Sequence, residues 1–349
     1  MGYLADIPEG WLFGGIAAAA AVVVWAGVRL TRYGDALGER FNLSRTWVGV
    51  ILLAMITSLP ELVVTLSSQL AVSRPRIAIG NVCGSNLINL CIFAVMDMYE
   101  GRGALSRRLS RGLIRPAMMG LLIMGLAGAG LMLAAPALSG LANILSWPIS
   151  GAILALCLYS IWKTDRGGQL PAEALPQATA RRGGRGLGVR FGVCTALVVA
   201  SGVALIVLCD SLLEQDLQFG SATIRLKESV VGSVGVAFVT SLPELVVCLT
   251  AVRLGAFDMA MGNIFGSNVF NMLLLPLAHF VRPKEAFWPE ALGSHGMVLG
   301  GAMLLTVIIA VGIRRKSPRA VLRLGWDGLI VAVLGICILV AVAALGVSV

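Results

Sequence analysis

Two glutamates, each inside a long apolar stretch, are the residues whose chemistry stands out. Glu61 lies in the string TSLPELVV at residues 57–64, and Glu244 lies in an identical string at 240–247. A carboxylate in the core of a membrane is costly, on the order of 3 kcal/mol, and no Lys or Arg lies deep in any apolar stretch. Two facing carboxylates repel unless a cation lies between them. The pair therefore predicts an oxygen-lined site for a hard cation such as Ca²⁺.

A second repeated string supplies further oxygen atoms. It reads GNVCGSNLIN at 80–89 and GNIFGSNVFN at 262–271, and its serine follows the glutamate by 24 residues in one copy and 23 in the other. In each copy three polar residues recur every four positions, which places them on one helix face: Asn81, Ser85, Asn89 and Asn263, Ser267, Asn271. The two glycines also favour close helix packing. Packing alone is one interpretation, but two copies at matched distances from a glutamate favour ligands.

The residues before each glutamate predict an interrupted helix. Pro60 has no N–H and clashes with the preceding turn, and Ser58 followed by Glu61 fits a capping box that starts a new helix. That start directs N–H groups and partial positive charge at a bound ligand. The turn before it should expose carbonyl oxygens, including that of Thr57. The second copy repeats this arrangement, and such breaks are tolerated inside a membrane where protein or a wet cavity surrounds them.

Composition places both motifs in a membrane. Of the 349 residues, 58% are hydrophobic and 13% are charged, and the mean hydropathy is +0.89, values typical of a polytopic membrane protein. The first ten residues contain no Lys or Arg, so we expect the first apolar stretch to remain as a span and not to be a cleaved signal peptide. Ten spans are predicted, at about 11–30, 46–72, 77–98, 113–134, 144–162, 191–213, 229–252, 259–281, 294–313 and 327–347.

The basic residues indicate how the chain crosses the membrane. Nineteen of the 27 Lys and Arg residues fall in one set of alternate loops and six in the other. The positive-inside rule then places both termini outside and the loop at 163–190 inside. Five spans on each side of that loop make the second half enter from the opposite face. We therefore predict an all-α protein of two inverted-topology repeats, 1–164 and 190–349, joined by a cytoplasmic linker at 165–189, with both glutamates near mid-membrane.

Other polar residues in the apolar stretches are expected to be less informative. Asp97, Asp210, Glu228 and Asp258 lie near span ends, where water or headgroups can solvate them, and His279 and His295 lie near the predicted outer face. The seven cysteines form no CxxC pair and no cluster with histidine. A metal–thiolate site or a disulfide framework is therefore not expected.

The two strings resemble the α-repeats of the cation/calcium exchanger superfamily, which includes the sodium/calcium exchangers. The family pattern is GTSxPE in one span and GNxxGSN in the next, and this chain has ITSLPEL with GNVCGSNLIN and VTSLPEL with GNIFGSNVFN. The resemblance implies that Glu61 and Glu244 are the central Ca²⁺ ligands, with the carbonyl groups of Thr57 and Thr240. It implies that the other ligands are Ser58, Ser85, Ser241 and Ser267 at flanking Na⁺ sites, and Asn89 and Asn271 in the central cluster.

Departures from the family pattern bear on the coupling ion. The usual Gly before Thr-Ser is Ile56 in one copy and Val239 in the other, and Asn89 and Asn271 stand where sodium/calcium exchangers commonly carry an Asp in one repeat. The Glu typical of proton-coupled members is absent from both GN strings. The predicted function is Ca²⁺/Na⁺ exchange by alternating access, in which the first and sixth spans slide past the rest. A cation/proton antiporter that uses the same glutamates is the alternative.

Other classes of protein fit less well. The chain has no HExxH for an intramembrane metalloenzyme and no GxxxxGK[ST] for an ATP-driven pump, so we do not expect an enzyme. A channel would differ from an exchanger only in its uncoupled flux. The expected partners are Ca²⁺, Na⁺ (or H⁺) and the lipid bilayer, and we expect no cofactor and no protein partner. Nucleic acid is not expected either, because membrane topology explains the net charge of +9. The compact layout favours a prokaryotic plasma membrane.

Overall fold

The computed structural model describes most of the chain. The described residues are 8–72, 75–101, 103–133, 139–164, 186–214, 216–219, 222–225, 238–281, 287–288, 294–316, 320–321 and 324–344. Most of the predicted linker, residues 165–185, lies outside the described residues, and so does Glu228.

Helices make up nearly all of the described chain. They are α1 (Glu9–Phe41), α2 (Arg45–Thr57), α3 (Leu59–Val72), α4 (Pro75–Glu100), α5 (Ile114–Met132), α6 (Ser139–Lys163), α7 (Leu187–Glu214), α8 (Leu242–Arg253), α9 (Phe257–Val281), α10 (Ser294–Arg315) and α11 (Trp326–Ala344). Two short antiparallel ribbons depart from the all-α prediction: β1 (Asp216–Phe219) with β2 (Ala222–Arg225), and β3 (Ala320–Val321) with β4 (Leu324–Gly325). Both ribbons lie in connections between helices, where a loop can satisfy its backbone groups by pairing with itself.

Helix length and composition make the chain an integral membrane protein. Seven of the described helices are long and apolar enough to cross a membrane, and α2 with α3 forms a bent pair that passes the same test as one span. The helix α11 is a shorter apolar helix. Each predicted span overlaps a described helix, although residues 229–237, at the start of the predicted seventh span, lie outside the described part.

The first interrupted helix breaks at Ser58. The axes of α2 and α3 differ by 41°, yet the Ser58 N–H donates to the carbonyl of Ala54 at 3.1 Å and the Leu62 N–H donates to the carbonyl of Ser58 at 3.2 Å. Pro60 provides no N–H for the carbonyl of Ile56, and this missing bond accounts for the bend. The predicted interruption is therefore present as a 41° break at Ser58, where one helix ends at Thr57 and the next begins at Leu59.

The capping-box prediction is wrong in both copies. Ser58 has φ −89° and ψ 4°, and Ser241 has φ −86° and ψ 9°, whereas an N-cap residue takes an extended backbone. The Ser58 and Ser241 hydroxyls have no hydrogen-bond partner, although both are buried. Neither hydroxyl acts as a cap, so both remain available to a ligand.

Direct backbone contact joins α2 to the second GN string, which lies in α9. A methyl group on Gly49 would collide with the carbonyl oxygen of Met259, and one on Gly266 would collide with the carbonyl oxygen of Val50. A methyl group on Gly262 would lie 3.0 Å from the carbonyl oxygen of Thr46. The glycines of this string therefore do allow close helix packing, and that packing places the polar face of α9 beside the bend at Ser58.

We predict that Gly266→Ala destabilises the protein, whereas Gly300→Ala does not. The added methyl group on Gly266 has no space against Val50 and Ala54, and overpacking of this kind costs about 1–3 kcal/mol. Nothing lies within 4 Å of the Cβ position of Gly300 in α10, where alanine favours the helix. Thermal unfolding of the detergent-solubilised variants, followed by tryptophan fluorescence, measures the difference. Equal midpoints for the two variants would contradict the close contact between α2 and α9.

Candidate cation-binding site

The two glutamates lie near each other inside the helix bundle. Glu61 is in the first turn of α3 and Glu244 is in the first turn of α8. Both side chains are 0% exposed, and the two carboxylates are close enough to interact electrostatically. Among the described residues, the ion pairs join Arg45 to Asp35 and Arg108 to Glu100. Neither glutamate takes part in them, so the carboxylates have no fixed cation in the described part of the chain.

Every residue predicted for the site is buried. The bends and the two GN strings bring side chains from α2, α3, α4, α8 and α9 to one region of the bundle, because α9 packs against α2, α3, α4 and α8. The ten predicted residues, each at most 8% exposed, are Thr57, Ser58, Glu61, Ser85, Asn89, Thr240, Ser241, Glu244, Ser267 and Asn271.

Buried oxygen atoms without hydrogen-bond partners distinguish this region. They are the two carboxylate oxygens of Glu61, the two of Glu244, the hydroxyl oxygens of Ser58 and Ser241, and the amide oxygens of Asn89 and Asn271. Buried polar atoms are normally satisfied, so each exception needs an explanation. All eight atoms are oxygens, four from each copy of the motifs, and oxygen is the ligand that Ca²⁺ and Na⁺ prefer.

Hydroxyl groups from the two halves meet beside Glu244. The Thr57 hydroxyl lies 3.3 Å from the Ser267 hydroxyl and 3.4 Å from the Asn263 amide oxygen, and it also donates to the carbonyl of Ala54 at 3.3 Å. The Thr57 and Ser267 hydroxyls face the Glu244 carboxylate, but neither makes a hydrogen bond of normal geometry with it. The Thr57 hydroxyl, at the end of α2, thus places a neutral oxygen beside the Glu244 carboxylate of the other half.

Two asparagines missing from the sequence prediction orient two that it included. Asn89 donates its amide N–H to the amide oxygen of Asn268 at 3.3 Å, and Asn271 donates to the amide oxygen of Asn86 at 3.1 Å. Asn86 and Asn268 also donate to each other's backbone carbonyls, at 3.4 Å in both directions. Because the amide nitrogens of Asn89 and Asn271 are engaged, their oxygens are directed elsewhere. The repeat of GSN in both strings could have identified Asn86 and Asn268. They were missed because they lie off the stripe of polar residues spaced by four.

The first asparagine of each string ties its helix to the glutamate helix of the same half. Asn81 donates to the hydroxyl of Thr65 at 3.0 Å and to the carbonyl of Glu61 at 3.3 Å. Asn263 donates to the thiol of Cys248 at 3.5 Å. Thr65 and Cys248 each follow a glutamate by four residues. These contacts hold each GN helix against the glutamate helix of its own half.

The available ligands suit a hard cation. The described residues bring together no group of three or more His, Cys, Asp or Glu side chains, so a zinc-type site is not formed there. Two carboxylates can balance one divalent ion, and hydroxyl, amide and backbone oxygens can complete an irregular coordination shell, which Ca²⁺ tolerates better than Mg²⁺.

Comparison with known proteins agrees with this geometry. The chain is 28% identical over 313 residues to the inner membrane protein YrbG of Escherichia coli, covering 85% of this chain and 87% of that protein. It is 25% identical to the putative antiporter CaxA of Alkalimonas amylolytica, covering 83% and 86%. The sodium/calcium exchanger MaX1 of Methanosarcina acetivorans is 27% identical over 144 residues, covering 41% and 39%.

The fold and the family profile extend over nearly the whole chain. The structure resembles that of the sodium-calcium exchanger NCX_Mj, with a TM-score of 0.67 at 19% identity and coverage of 95% and 98%. The profile described as sodium/calcium exchanger protein matches twice, at residues 11–162 and 193–344. With both halves matched, the chain belongs to the sodium/calcium exchanger protein family.

Proposed function

We propose that the protein is a secondary antiporter that exchanges Ca²⁺ for Na⁺ by alternating access in a prokaryotic plasma membrane. The observation that carries the proposal is the pair of fully buried glutamates, Glu61 and Glu244, which have no cationic partner among the described residues and have unpartnered oxygens around them. Family membership and the resemblance to NCX_Mj and MaX1, named as sodium/calcium exchangers, support the choice of ions.

Each predicted residue has a place in this proposal. Glu61 and Glu244 are the central Ca²⁺ ligands, and the carbonyls of Thr57 and Thr240 and the amide oxygens of Asn89 and Asn271 complete the central shell. The remaining oxygens form flanking Na⁺ sites, at Ser58, Ser85, Ser241 and Ser267. Ca²⁺ or several Na⁺ ions then compete for one set of oxygens, which couples the two fluxes.

Electrostatics explains why such a site exchanges ions and does not leak. When the site is empty, two carboxylates face each other in a low-dielectric interior without a countercharge, and this arrangement is strongly unfavourable. A transition between inward-facing and outward-facing states should therefore require bound cations. The cation/proton alternative differs in that a proton would neutralise the carboxylates.

The arrangement of α1 and α7 supports a sliding motion. These two helices, the predicted first and sixth spans, pack along each other and against the glutamate helices α3 and α8. A methyl group on Gly202 of α7 would lie 2.7 Å from Pro60 and 3.8 Å from Pro243, and one on Gly27 of α1 would lie 2.9 Å from Val246. The α1–α7 pair thus covers both prolines, Pro60 and Pro243, and in the proposed mechanism its displacement opens a path to the site. Ten spans in two inverted repeats, 1–164 and 190–349, complete the proposal.

We expect Glu61→Gln and Glu244→Gln each to abolish Na⁺-dependent Ca²⁺ uptake. Each variant leaves a single carboxylate at the site, and loss of one partner from a buried charged group costs about 3 kcal/mol or more, on the order of 100-fold in affinity. The measurement is ⁴⁵Ca²⁺ uptake into Na⁺-loaded proteoliposomes, with voltage and pH clamped by ionophores. Glu39→Gln, in α1 outside the site, is the control and should transport normally.

Two results of this assay would contradict the proposal. Uptake indifferent to internal Na⁺ but driven by an imposed pH gradient would assign the protein to the cation/proton alternative. Ca²⁺ flux that needs no counter-ion at all, and that glutamine variants leave intact, would indicate a channel or a different site.

Asn86→Ala and Asn268→Ala should weaken Ca²⁺ binding without abolishing transport. Each change removes the acceptor that orients Asn271 or Asn89, and a buried hydrogen bond contributes about 0.5–1.5 kcal/mol. The half-saturating Ca²⁺ concentration for uptake should rise by about 2- to 10-fold, while Thr306→Ala, which removes a buried hydroxyl bonded within α10, should leave it unchanged. An unaltered half-saturating concentration in both asparagine variants would show that the reciprocal pairing does not position the ligands.

The proposed topology places both termini outside the cytoplasm, because nineteen basic residues lie in one set of loops and six in the other. Alkaline phosphatase fused to the C-terminus should be active in Escherichia coli, whereas green fluorescent protein fused there should be dark. Fusions within the 165–189 loop should give the reverse. Fluorescence from the C-terminal fusion would overturn the orientation.

A further inference from the structure

The helices that carry the two GN strings end in corresponding contacts with the other half of the chain. Asp97 lies eight residues after Asn89 in α4, and His279 lies eight residues after Asn271 in α9. His279 meets Ser150 of α6, with Nδ1 and the hydroxyl 2.8 Å apart. Asp97 meets the start of α11, where the Asp327 carboxylate lies close enough to interact electrostatically with the Asp97 carboxylate. Ser150 and Asp327 are each followed by glycine, Gly151 and Gly328.

The polar groups at the His279 contact form hydrogen bonds with each other. The Ser150 hydroxyl accepts a hydrogen bond from the Trp288 indole N–H at 3.0 Å as well as meeting His279. The imidazole ring stacks on Trp147 with 4.3 Å between centroids. His279 is therefore a structural element that joins α9 to α6, and the expectation that it contributes only incidental polarity is wrong.

The contact at Asp97 has the opposite character. Asp97 and Asp327 are both 0% exposed, so the prediction that water or headgroups solvate Asp97 is wrong. Asp97 accepts hydrogen bonds from the backbone N–H groups of Leu105 and Gly325, at 2.7 Å each. Asp327 has no hydrogen-bond partner for either carboxylate oxygen. Two carboxylates thus share one buried region, and one of them is entirely unsatisfied.

Three glycines make the space for these carboxylates. A methyl group on Gly312 of α10 would overlap a carboxylate oxygen of Asp327, and one on Gly328 would overlap a carboxylate oxygen of Asp97. The Cβ position of Gly325, whose N–H bonds to Asp97, lies 2.5 Å from the other oxygen of Asp327. Any larger residue at these positions would displace the carboxylates, so the backbone forms a cradle around them.

Nearby cations in the described part of the chain are engaged elsewhere. Arg108 pairs with Glu100 at 3.1 Å. The Lys316 ammonium donates to the carbonyls of Ser106 and Arg107, at 3.2 Å each, and to that of Leu109. Buried carboxylates without a countercharge are strongly unfavourable, so the aspartate pair requires a cation that the described chain does not supply.

The aspartate pair shares its defining feature with the glutamate site. Among the described carboxylates, those with both oxygens buried and unpartnered belong to Glu61, Glu244 and Asp327. Asp97 lies roughly 12 Å along α4 from Asn89, at about 1.5 Å per residue, so the two regions are separate. The same physical argument that assigns a cation to the glutamates applies independently to the aspartates.

We propose that Asp97 and Asp327 form a second cation site, which takes a hard divalent cation such as Ca²⁺. The site bridges α4 of the first half and α11 of the second half, on the cytoplasmic side in the proposed topology. The carboxylates balance the charge, and backbone carbonyls or water complete the coordination. With only two charged ligands, the site should be weak, with Kd in the range of about 10⁻⁴–10⁻³ M. Its occupancy would hold the helix of the first GN string against the other half.

The test measures Ca²⁺ binding in the absence of the transport site. Full-length Glu61→Gln, Glu244→Gln protein is purified in detergent at neutral pH, and ⁴⁵Ca²⁺ binding is measured by equilibrium dialysis up to millimolar Ca²⁺. We expect one bound Ca²⁺ per chain, lost on further substitution Asp327→Asn. Asp258→Asn is the matched control, since Asp258 is a carboxylate outside the pair that accepts a hydrogen bond from the Ser110 N–H at 2.7 Å, and it should retain the ion.

Each other outcome overturns the site. No bound Ca²⁺ in the Glu61→Gln, Glu244→Gln background would mean that the aspartates share a proton and hold no Ca²⁺. Retention of the ion after Asp327→Asn would place the ion elsewhere. If the Asp327→Asn protein is not monodisperse on gel filtration, Asp327→Ser is the second variant. Serine is chosen because Ser150 occupies the corresponding position in the His279 contact. The binding measurement does not depend on transport. Absence of Ca²⁺ binding at the aspartates would therefore be distinguishable from absence of Ca²⁺/Na⁺ exchange.

Discussion

Repulsion between two carboxylates in a low-dielectric interior is the constraint on which the rest of this structure depends. Glu61 and Glu244 come from opposite halves of the chain, are fully buried, and have no fixed cation among the described residues. The surrounding hydroxyl and amide oxygens cannot neutralise them, although they can complete the coordination of a cation that does. Stability of the closed bundle and occupancy of the site are therefore linked.

The polar site is supported by helix contacts that leave little freedom. Gly49 and Gly266 bring the backbones of α2 and α9 together, so that Thr57 reaches across to Ser267. Gly202 places α7 directly over Pro60 and Pro243. Since the same α1–α7 pair lies against both bends, a displacement of this pair would act on both halves of the site at once. In the proposed mechanism, this arrangement connects the cation site to a motion of whole helices.

Duplication explains the symmetry of the centre, and divergence explains the differences at the ends. Asn86 and Asn268 exchange equivalent hydrogen bonds across the middle of the bundle. Away from the centre, the equivalent ends of α4 and α9 carry Asp97 and His279, one facing a second carboxylate and the other a serine. A single ion bound between the two glutamates, as proposed, would contact both halves and favour two-fold chemistry there, whereas the helix ends have no such requirement.

Much of the site could be predicted from sequence because its signals are local. The apolar stretches, the proline after each Thr-Ser, the two isolated glutamates and the four-residue spacing of each GN string are set within one helix. From these follow the membrane environment, the helical architecture and the oxygen chemistry. The helix bend at Ser58 was also predictable from Pro60, although the serine proved to be an unpartnered ligand candidate and not a cap.

Only the tertiary structure decided which of these groups are satisfied. Asn86 and Asn268 pair across the bundle, Asn81 is tethered to Thr65, and Asp97 is buried beside Asp327. Each of these facts depends on the position and rotation of one helix relative to another that is distant in sequence, and periodicity within a single helix carries no information about that neighbour. The sequence by itself determined the residue types and their helix faces, and packing between the two halves determined which oxygens remain for cations.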